Sequence, residues 1–324
     1  MSRIISYSSA INEAFFQIME RDEKVFQIGA GINTPWFVGQ TMQGLLEKFS
    51  EKRMIDTPVS ENGVAGVAIG AALTGLKPIL TFPRMDFMHY AMDQLINQAA
   101  MLPYSLGNKI KIPLTVRGII NRGGEQGAQH SQSLHAVFSH IPGWKVVMPS
   151  NPYDAKGLLI AAVEDDNPVL YIDDRWLYSL KGEVPQNYYV CKIGEAKILK
   201  KGKDLTVVAS SWTVKLALDV ISQLSEFDIE LIDLRTIKPL DEEKILESVK
   251  KTKKAIVLDG GWRMFGVSSE ISALIAEKVF DSLKAPVKRI ALPDSPAPAA
   301  KTLEKRYYPD EFTVINTIKE ILKE

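Results

Sequence analysis

A glutamate stands directly before a run of small apolar residues and could carry out acid–base chemistry. The segment reads Asp-Thr-Pro-Val-Ser-Glu-Asn-Gly over residues 56–63, and Glu61 opens the helical pattern that follows. A carboxyl group can hold or transfer a proton, but a first-turn glutamate is also favoured by the helix dipole. The pattern alone leaves both interpretations of Glu61 open.

A histidine in a polar loop is the second candidate. His130 lies in a glycine-containing segment, residues 124–132, after a predicted strand that ends near Ile120. In open α/β sheets catalytic groups collect in loops at strand ends, although a single loop histidine is also commonly structural or solvated. His130, His135 and His140 are spaced five residues apart without acidic or cysteine partners at zinc spacing, so a metal cluster is not predicted.

Several common site motifs are absent. The sequence contains no G-x-G-x-x-G after a strand, no G-x-x-x-x-G-K-[ST] and no G-x-S-x-G. Gly29-Ala30-Gly31 follows a predicted strand but lacks the third glycine. Dinucleotide binding, P-loop phosphate binding and the serine hydrolase elbow therefore have no support.

The elements that must position these residues alternate between buried strands and amphipathic helices. Such alternation predicts mainly parallel sheets flanked by helices, the α/β class. We predict a first domain over residues 1–180, a linker over 181–195 and a second α/β domain over 196–324. The predicted strands cover residues 25–28, 78–82, 113–117, 169–172, 205–209, 229–232 and 254–258.

Composition limits the function classes. The 324 residues carry 39 basic and 39 acidic side chains, so no net charge steers the protein to nucleic acid or to an anionic membrane. The most apolar window, residues 64–76, is shorter than a membrane span and predicts a tightly packed core helix. A single cysteine, Cys191, excludes an internal disulfide and fits a reducing compartment, so we expect a cytoplasmic protein.

Taken together, a series of segments resembles a known enzyme family in the family's own order along the chain. The family is the beta subunit of the thiamine-diphosphate-dependent component of 2-oxo-acid dehydrogenase complexes, especially its pyruvate and acetoin dehydrogenase branches. The matching segments are residues 56–61, 70–78, 92–98, 129–132, 152–158, 233–239, 261–270 and 293–298.

The resemblance implies a pyrimidine-binding domain, a transketolase-type C-terminal domain and a partner. Family members bind thiamine diphosphate between this subunit, which holds the aminopyrimidine, and an alpha subunit, which holds the diphosphate and its magnesium. The sequence has no Gly-Asp-Gly followed at family spacing by Asn, the family's diphosphate motif. We therefore expect a heterotetramer of two alpha and two beta chains, active as an oxidoreductase that passes acyl groups to lipoyl-lysine of an acyltransferase.

The resemblance also assigns roles to residues. Glu61 matches the glutamate that hydrogen-bonds the aminopyrimidine ring nitrogen and favours the imino tautomer, which activates the thiazolium carbon. Phe87 matches the aromatic residue that stacks on the aminopyrimidine, and Val59 an aliphatic residue of the same pocket. His130 matches the family's active-site histidine, a donor to substrate or acyl acceptor. A structural potassium ion, held mainly by main-chain oxygens, is implied at Leu114, Ala162, Asp165 and Asn167.

The chain departs from the family pattern at two places. Ala30 stands where the family usually has an acid implicated in proton communication between paired sites. Pro83 and Arg84 stand where the family is apolar or small. Arg84 could bind an anionic substrate group, or it could form a surface ion pair with Asp86 or a partner chain.

These departures leave two other functions open. The chain could belong to a free-standing thiamine-dependent carboligase or decarboxylase that uses an aldehyde or sugar acceptor. It could also be a non-catalytic scaffold subunit, although the presence of Glu61, Phe87 and His130 argues against that. The sequence does not distinguish one 2-oxo acid or diketone from another.

Overall fold

Two mainly parallel sheets flanked by helices form the framework of the computed structural model, which describes residues 2–36 and 38–323. The larger sheet has seven strands, of which only the first is antiparallel to its neighbour. In spatial order they are β12 (Thr236–Lys238), β6 (Lys145–Val147), β7 (Val169–Asp174), β5 (Thr115–Ile120), β4 (Lys77–Phe82), β2 (Val25–Ala30) and β3 (Met54–Thr57). The predicted α/β class is confirmed.

The smaller sheet has five strands, and only its last strand is antiparallel to the strand beside it. In spatial order they are β14 (Lys288–Leu292), β13 (Ala255–Trp262), β10 (Leu205–Ala209), β11 (Ile229–Asp233) and β9 (Lys197–Lys200). Central strands such as β10 and β11 are buried along their whole length, as expected for strands covered on both faces.

Eleven α-helices lie in the described part of the chain, joined by several short 3₁₀ turns and one π-helical segment. They are α1 (Tyr7–Arg21), α2 (Leu45–Arg53), α3 (Glu61–Leu73), α4 (Leu102–Ser105), α5 (His135–His140), α6 (Pro152–Glu164), α7 (Trp212–Gln223), α8 (Glu242–Thr252), α9 (Val267–Val279), α10 (Lys301–Tyr307) and α11 (Glu311–Lys323). Local signals explain several starts. The Asn151 side chain caps α6 by accepting a bond from the Asp154 amide, and Pro152 occupies the first turn.

Strand pairing crosses the predicted division of the chain. Residues 181–185, at the start of the predicted linker, form β8 (Lys181–Pro185), which pairs antiparallel with β1 (Ser2–Ser6). Strand β12, from the C-terminal part of the chain, adds to the edge of the larger sheet through β6. The two parts are therefore joined by backbone hydrogen bonds, and the boundary at residues 181–195 stays a prediction.

Helix α3 differs from the core helix that we predicted. Only one face of it is buried, along Ala65, Ala68, Ile69 and Ala72, whereas Val67 is 61% exposed. A Cβ atom at Gly70 would meet no atom within 4 Å, so this glycine is not used for tight packing within this chain. Helix α3 therefore presents an apolar outer face. Within residues 2–36 and 38–323, no helix combines the length and apolar character needed to cross a membrane.

A buried ion pair ties the larger sheet to helix α1. The Arg117 guanidinium on β5 donates to both carboxylate oxygens of Asp173 on β7, at 3.1 and 2.7 Å, and also to Thr41. The Tyr178 hydroxyl donates to the same carboxylate at 2.6 Å, and the guanidinium lies 5.4 Å from the ring centre of Phe15 in α1. Both charged side chains are fully buried. Burial lowers the pKa of Arg117, but the Asp173 carboxylate raises it by more, so the guanidinium stays charged.

We predict that Asp173→Ala lowers the free energy of unfolding by about 3–5 kcal/mol, because it leaves the Arg117 guanidinium buried without its counter-charge. Urea denaturation of the variant measures this change. Asp219→Ala is the control: it breaks an exposed pair with Lys215 within α7 and should cost less than about 1 kcal/mol. An equal loss of unfolding free energy in the two variants would contradict a stabilising role of the buried Arg117–Asp173 pair.

Candidate functional site

A cavity of about 270 Å³ opens where three parallel strands of the larger sheet end. Strands β2, β3 and β4 pair in register, and parallel strands bring their carboxyl ends to one edge. The walls come from the turn after each strand and from the first turn of α3: Gly29, Ala30, Gly31, Thr34, Trp36, Thr57, Pro58, Val59, Ser60, Glu61, Val64, Leu80, Thr81, Phe82, Pro83, Arg84 and Phe87.

Glu61 is the first residue of α3 and lines this cavity. Its carboxylate makes no hydrogen bond or ion pair with any residue of the described part of the chain, and it is partly exposed. Ser60, which precedes it, makes no side-chain capping bond. The helix dipole favours an anion at this position, so the carboxylate is stabilised there while it remains free for a ligand.

The turn after β2 is held close to β4 and β3. A Cβ atom at Gly29 would lie 2.4 Å from the Thr81 carbonyl oxygen, so only glycine permits this approach. The Asp56 carboxylate accepts a hydrogen bond from the Gly31 amide at 2.6 Å. Ala30 lies between the two glycines and lines the cavity, so the usual acid of this position is absent from the cavity wall.

The cavity wall is apolar with a few unpaired polar atoms. Phe87 and Val59 supply apolar surface, and Val59 is 79% exposed in this chain. The hydroxyl oxygens of Thr57 and Thr81 are buried and have no hydrogen-bond partner. Because buried polar groups are normally paired, these two hydroxyls fit a ligand that supplies hydrogen-bonding atoms next to an aromatic wall.

His130 packs against the Phe87 ring. The two ring centres are 5.4 Å apart and the planes are nearly perpendicular, at 84°. His130 is not among the residues that line the cavity, but it contacts Phe87, which is one of them. The structure thus gathers Glu61, Phe87, Val59 and His130 around one site.

A polar network fixes the loop that carries His130. The buried Asp86 carboxylate accepts a hydrogen bond from the Gln132 amide at 3.0 Å, and the Gln132 side-chain oxygen lies 2.9 Å from His89 Nε2. Burial raises the pKa of Asp86, and the Gln132 amide and the nearby histidines oppose that rise. The segment that contains Phe87 is in this way bonded to the loop that contains His130.

The same loop is anchored to the smaller sheet. His135 at the start of α5 lies 2.9 Å from an Asp259 carboxylate oxygen of β13, and its other ring nitrogen lies 2.6 Å from the Ser133 hydroxyl. The connectivity is that of a serine–histidine–aspartate chain, but all three side chains are buried, so no substrate reaches the hydroxyl. The His135 contact holds the pKa of Asp259 low against the effect of burial.

Arg84 borders the cavity on the turn after β4. Its Nε atom is buried and has no hydrogen-bond partner, and no ion pair joins Arg84 to Asp86 in the part of the chain that the structure describes. Burial lowers the pKa of Arg84, with repulsion from Arg175 as the next cause. The ion pair with Asp86 that the sequence left open is therefore not formed.

The residues implied for potassium lie together where α6 ends. Asp165 follows the helix, and its carboxylate contacts Lys145 Nζ at 2.5 Å and accepts from the Asn167 amide at 2.9 Å. The Leu114 carbonyl accepts from the Val169 amide at 3.0 Å, and Ala162 is in the last helical turn, whose carbonyls lack intrahelical partners. No group of three or more His, Cys, Asp or Glu side chains suited to a metal occurs among the described residues.

Several site residues were missed at the sequence level. The rule that strand ends carry function could have identified Thr57 and Thr81. Thr57 is the last residue of β3, and Thr81 is the next-to-last residue of β4. The bonds of Gln132 with Asp86 and His89 join segments about forty residues apart, and no local pattern reveals such a pairing.

Family models cover nearly the whole chain. Residues 3–179 match the transketolase pyrimidine binding domain, and residues 194–314 match the transketolase C-terminal domain. A solved structure, a split-gene transketolase described as an inactive beta4 tetramer, superposes with a TM-score of 0.80 over 98% of both chains. Its sequence identity is 18%, so it is evidence for the fold alone.

Characterised relatives are similar over their full length. The beta subunit of acetoin:2,6-dichlorophenolindophenol oxidoreductase from Bacillus subtilis is 42% identical over all of this chain and 99% of the relative. The pyruvate dehydrogenase E1 beta subunit of Rickettsia bellii is 42% identical, and the 2-oxoisovalerate dehydrogenase beta subunit of B. subtilis is 41% identical, each over 98% of both chains. The chain belongs to the transketolase-like family of thiamine-diphosphate-dependent 2-oxo-acid dehydrogenase E1 beta subunits.

Proposed function

We propose that this chain holds the aminopyrimidine end of thiamine diphosphate in the cavity beside Glu61 and works with an alpha subunit as a 2-oxo-acid or acetoin dehydrogenase. The observation that carries the proposal is the unpaired Glu61 carboxylate on a cavity lined by Phe87 and the unpaired hydroxyls of Thr57 and Thr81. An aromatic wall with a few aimed polar groups suits a flat heteroaromatic ring.

Glu61 acts as the proton-holding group in this proposal. Its carboxyl group would hold the pyrimidine ring through a hydrogen bond to a ring nitrogen and, by sharing a proton there, would favour the imino tautomer. Bound thiamine diphosphate supplies a nucleophilic thiazolium carbon for addition to a carbonyl and an electron sink for carbon dioxide loss. Phe87 stacks on the ring, and Val59 becomes covered when the ring and the partner chain are in place.

His130, which contacts Phe87, acts as a hydrogen-bond or proton donor to the substrate or acyl acceptor. The Asp86–Gln132 bond and the His135–Asp259 contact fix the loop on both sides of it. A donor held in this way loses little freedom when it bonds the substrate, which is how a positioned acid accelerates a reaction.

An alpha subunit completes the site. The chain lacks the family's diphosphate motif, so the diphosphate, its magnesium ion and part of the substrate pocket belong to the partner in a heterotetramer. Helix α3 exposes the apolar side chains of Val67 and Leu73, and Val59 is exposed on the cavity wall. Exposed apolar side chains such as these suit contact with another chain.

Finer assignments form part of the same proposal. We place a potassium ion at the main-chain oxygens near the end of α6, at Leu114, Ala162, Asp165 and Asn167. We place the domain boundary in residues 181–195 and the protein in the cytoplasm. Lipoyl-lysine of an acyltransferase is the acyl acceptor.

A free-standing carboligase is the second candidate. The unpaired Arg84 at the cavity and the alanine at position 30 favour it, because both depart from the family pattern on the cavity wall itself. Such an enzyme would pass its acyl group to an aldehyde or sugar acceptor. Transfer to an aldehyde without transfer to lipoyl-lysine would select this candidate.

We predict that Glu61→Gln in the assembled alpha–beta pair lowers kcat for 2-oxo-acid or acetoin oxidation by about 10²–10⁴-fold, because an amide cannot exchange the proton that the pyrimidine ring requires. The assay is dichlorophenolindophenol reduction with added thiamine diphosphate. Glu51→Gln, at an exposed glutamate in α2, is the matched control and should leave the rate unchanged. A Glu61→Gln rate near the wild-type rate would refute the proposed role.

We further predict that Phe87→Ala weakens thiamine diphosphate binding by about tenfold, because the stacking contact of the ring, worth about 1 kcal/mol or more, is lost. Titration of the pair with the cofactor, followed by tryptophan fluorescence, gives the Kd. Phe312→Ala removes a 73% exposed phenylalanine in α11 and serves as the control. Unchanged cofactor affinity in Phe87→Ala would place the pyrimidine elsewhere.

A further inference from the structure

Two arginines without a carboxylate partner stand close together at the edge of the cofactor cavity. Arg84 follows β4, and Arg175 follows β7 in a 3₁₀ turn. Both side chains are half-buried. Burial lowers the pKa of Arg84, and the positive charge of the nearby Arg175 lowers it further. Neither forms an ion pair within residues 2–36 and 38–323. Two adjacent unneutralised cations are unfavourable unless a ligand compensates them.

Asn121 holds the two arginines in place. It is buried after β5, and its side-chain amide donates to the Pro83 carbonyl at 3.0 Å, directly before Arg84. Its side-chain oxygen accepts a hydrogen bond from Arg175 Nη1 at 2.7 Å. The Asn121 side chain thus links the backbone next to Arg84 to the guanidinium of Arg175.

Trp36 connects this pair to the cofactor cavity. The Arg175 guanidinium lies 5.1 Å from the Trp36 ring centre, a distance at which a cation is attracted to an aromatic face. Trp36 and Arg84 both line the cavity that Glu61 faces. The stacked arrangement leaves the remaining donors of Arg175 available while fixing the direction of its plane.

The aspartates near the two arginines form no ion pair with them in the part of the chain that the structure describes. Of the two aspartates that end β7, Asp173 pairs with Arg117, and Asp174 accepts from Arg122 Nε at 2.7 Å and from the Trp176 amide at 3.0 Å. Asp86 is bonded to the Gln132 amide and raises the pKa of Arg84 only as a lesser effect. The positive charge of the arginine pair is therefore not cancelled by the aspartates around it.

There is room for a ligand group beside Arg175. Arg175 and Asn121 line a second cavity of about 290 Å³ together with Gly123, Gly124 and Gln126. Both glycines have positive φ, at 69° and 66°, a backbone conformation that favours glycine in this turn. Arg175 therefore borders open space that a ligand group can enter.

We infer that Arg84 and Arg175 bind a phosphate monoester group on the molecule that reacts at the cofactor. The inference rests on the proposed function, since it takes the Glu61 cavity as the cofactor site. A phosphate monoester carries close to two negative charges and three acceptor oxygens, which matches two guanidiniums, whereas a carboxylate would neutralise one. The group is carried either by the 2-oxo-acid donor or by an aldehyde acceptor.

The test is calorimetric titration of the assembled, cofactor-loaded alpha–beta pair with three probes: glycerol 3-phosphate, glycerol and acetate. We expect glycerol 3-phosphate alone to bind measurably. Arg84→Gln and Arg175→Gln should each weaken its binding at least tenfold. Arg306→Gln, at an exposed arginine of α10, should bind it like the wild type. Inhibition by glycerol 3-phosphate that is competitive with the donor, or with the acceptor, identifies which molecule carries the phosphate.

Three results would overturn the inference. They are no preference of the wild-type pair for glycerol 3-phosphate over acetate, wild-type affinity in both arginine variants, and a matching loss of thiamine diphosphate affinity in those variants. The last result would assign the arginines to the cofactor's own diphosphate. A failure of the proposed function would be seen in a different experiment. In that case Glu61→Gln would keep full activity, whatever the result of the glycerol 3-phosphate titration.

Discussion

The close approach of the turn after β2 to strand β4 is the constraint on which the site depends. Gly29 touches the Thr81 carbonyl so closely that any side chain there would collide with it, and Asp56 bonds the neighbouring Gly31 amide. These contacts lock the carboxyl ends of β2, β3 and β4 together. The cavity, the start of α3 and the Glu61 carboxylate all take their positions from that edge of the sheet.

A second layer of contacts ties the loop that carries His130 to the rest of the chain. His135 joins the loop to Asp259 in the smaller sheet, and Arg122 bonds Asp174 while its guanidinium lies 5.5 Å from the Trp212 ring centre. Strand β12 adds a backbone link between the two parts of the chain. The C-terminal domain therefore acts on the site without lining it: it fixes the loop that presents His130.

Much of the framework was predictable because its signals are local. Buried apolar runs gave the long parallel strands, and motif order gave the family with Glu61, Phe87 and His130. The features that the sequence did not predict depend on contacts between residues far apart in the chain. The apolar window at residues 64–76 predicted a core helix, but composition cannot tell a face that packs inside the chain from the exposed face of α3. The Arg84–Asn121–Arg175 arrangement joins the ends of three strands, so only the sheet order β7-β5-β4 brings it together.

The central claim is that Glu61 meets the pyrimidine ring of thiamine diphosphate in the cavity at the ends of β2, β3 and β4. The most direct measurement is an experimental structure of the alpha–beta pair with the cofactor bound. We predict a Glu61 carboxylate oxygen within hydrogen-bond distance of a pyrimidine ring nitrogen, about 2.5–3.2 Å, with the ring against Phe87. A cofactor bound with its pyrimidine outside this cavity, or with Glu61 turned away from the ring, would contradict it.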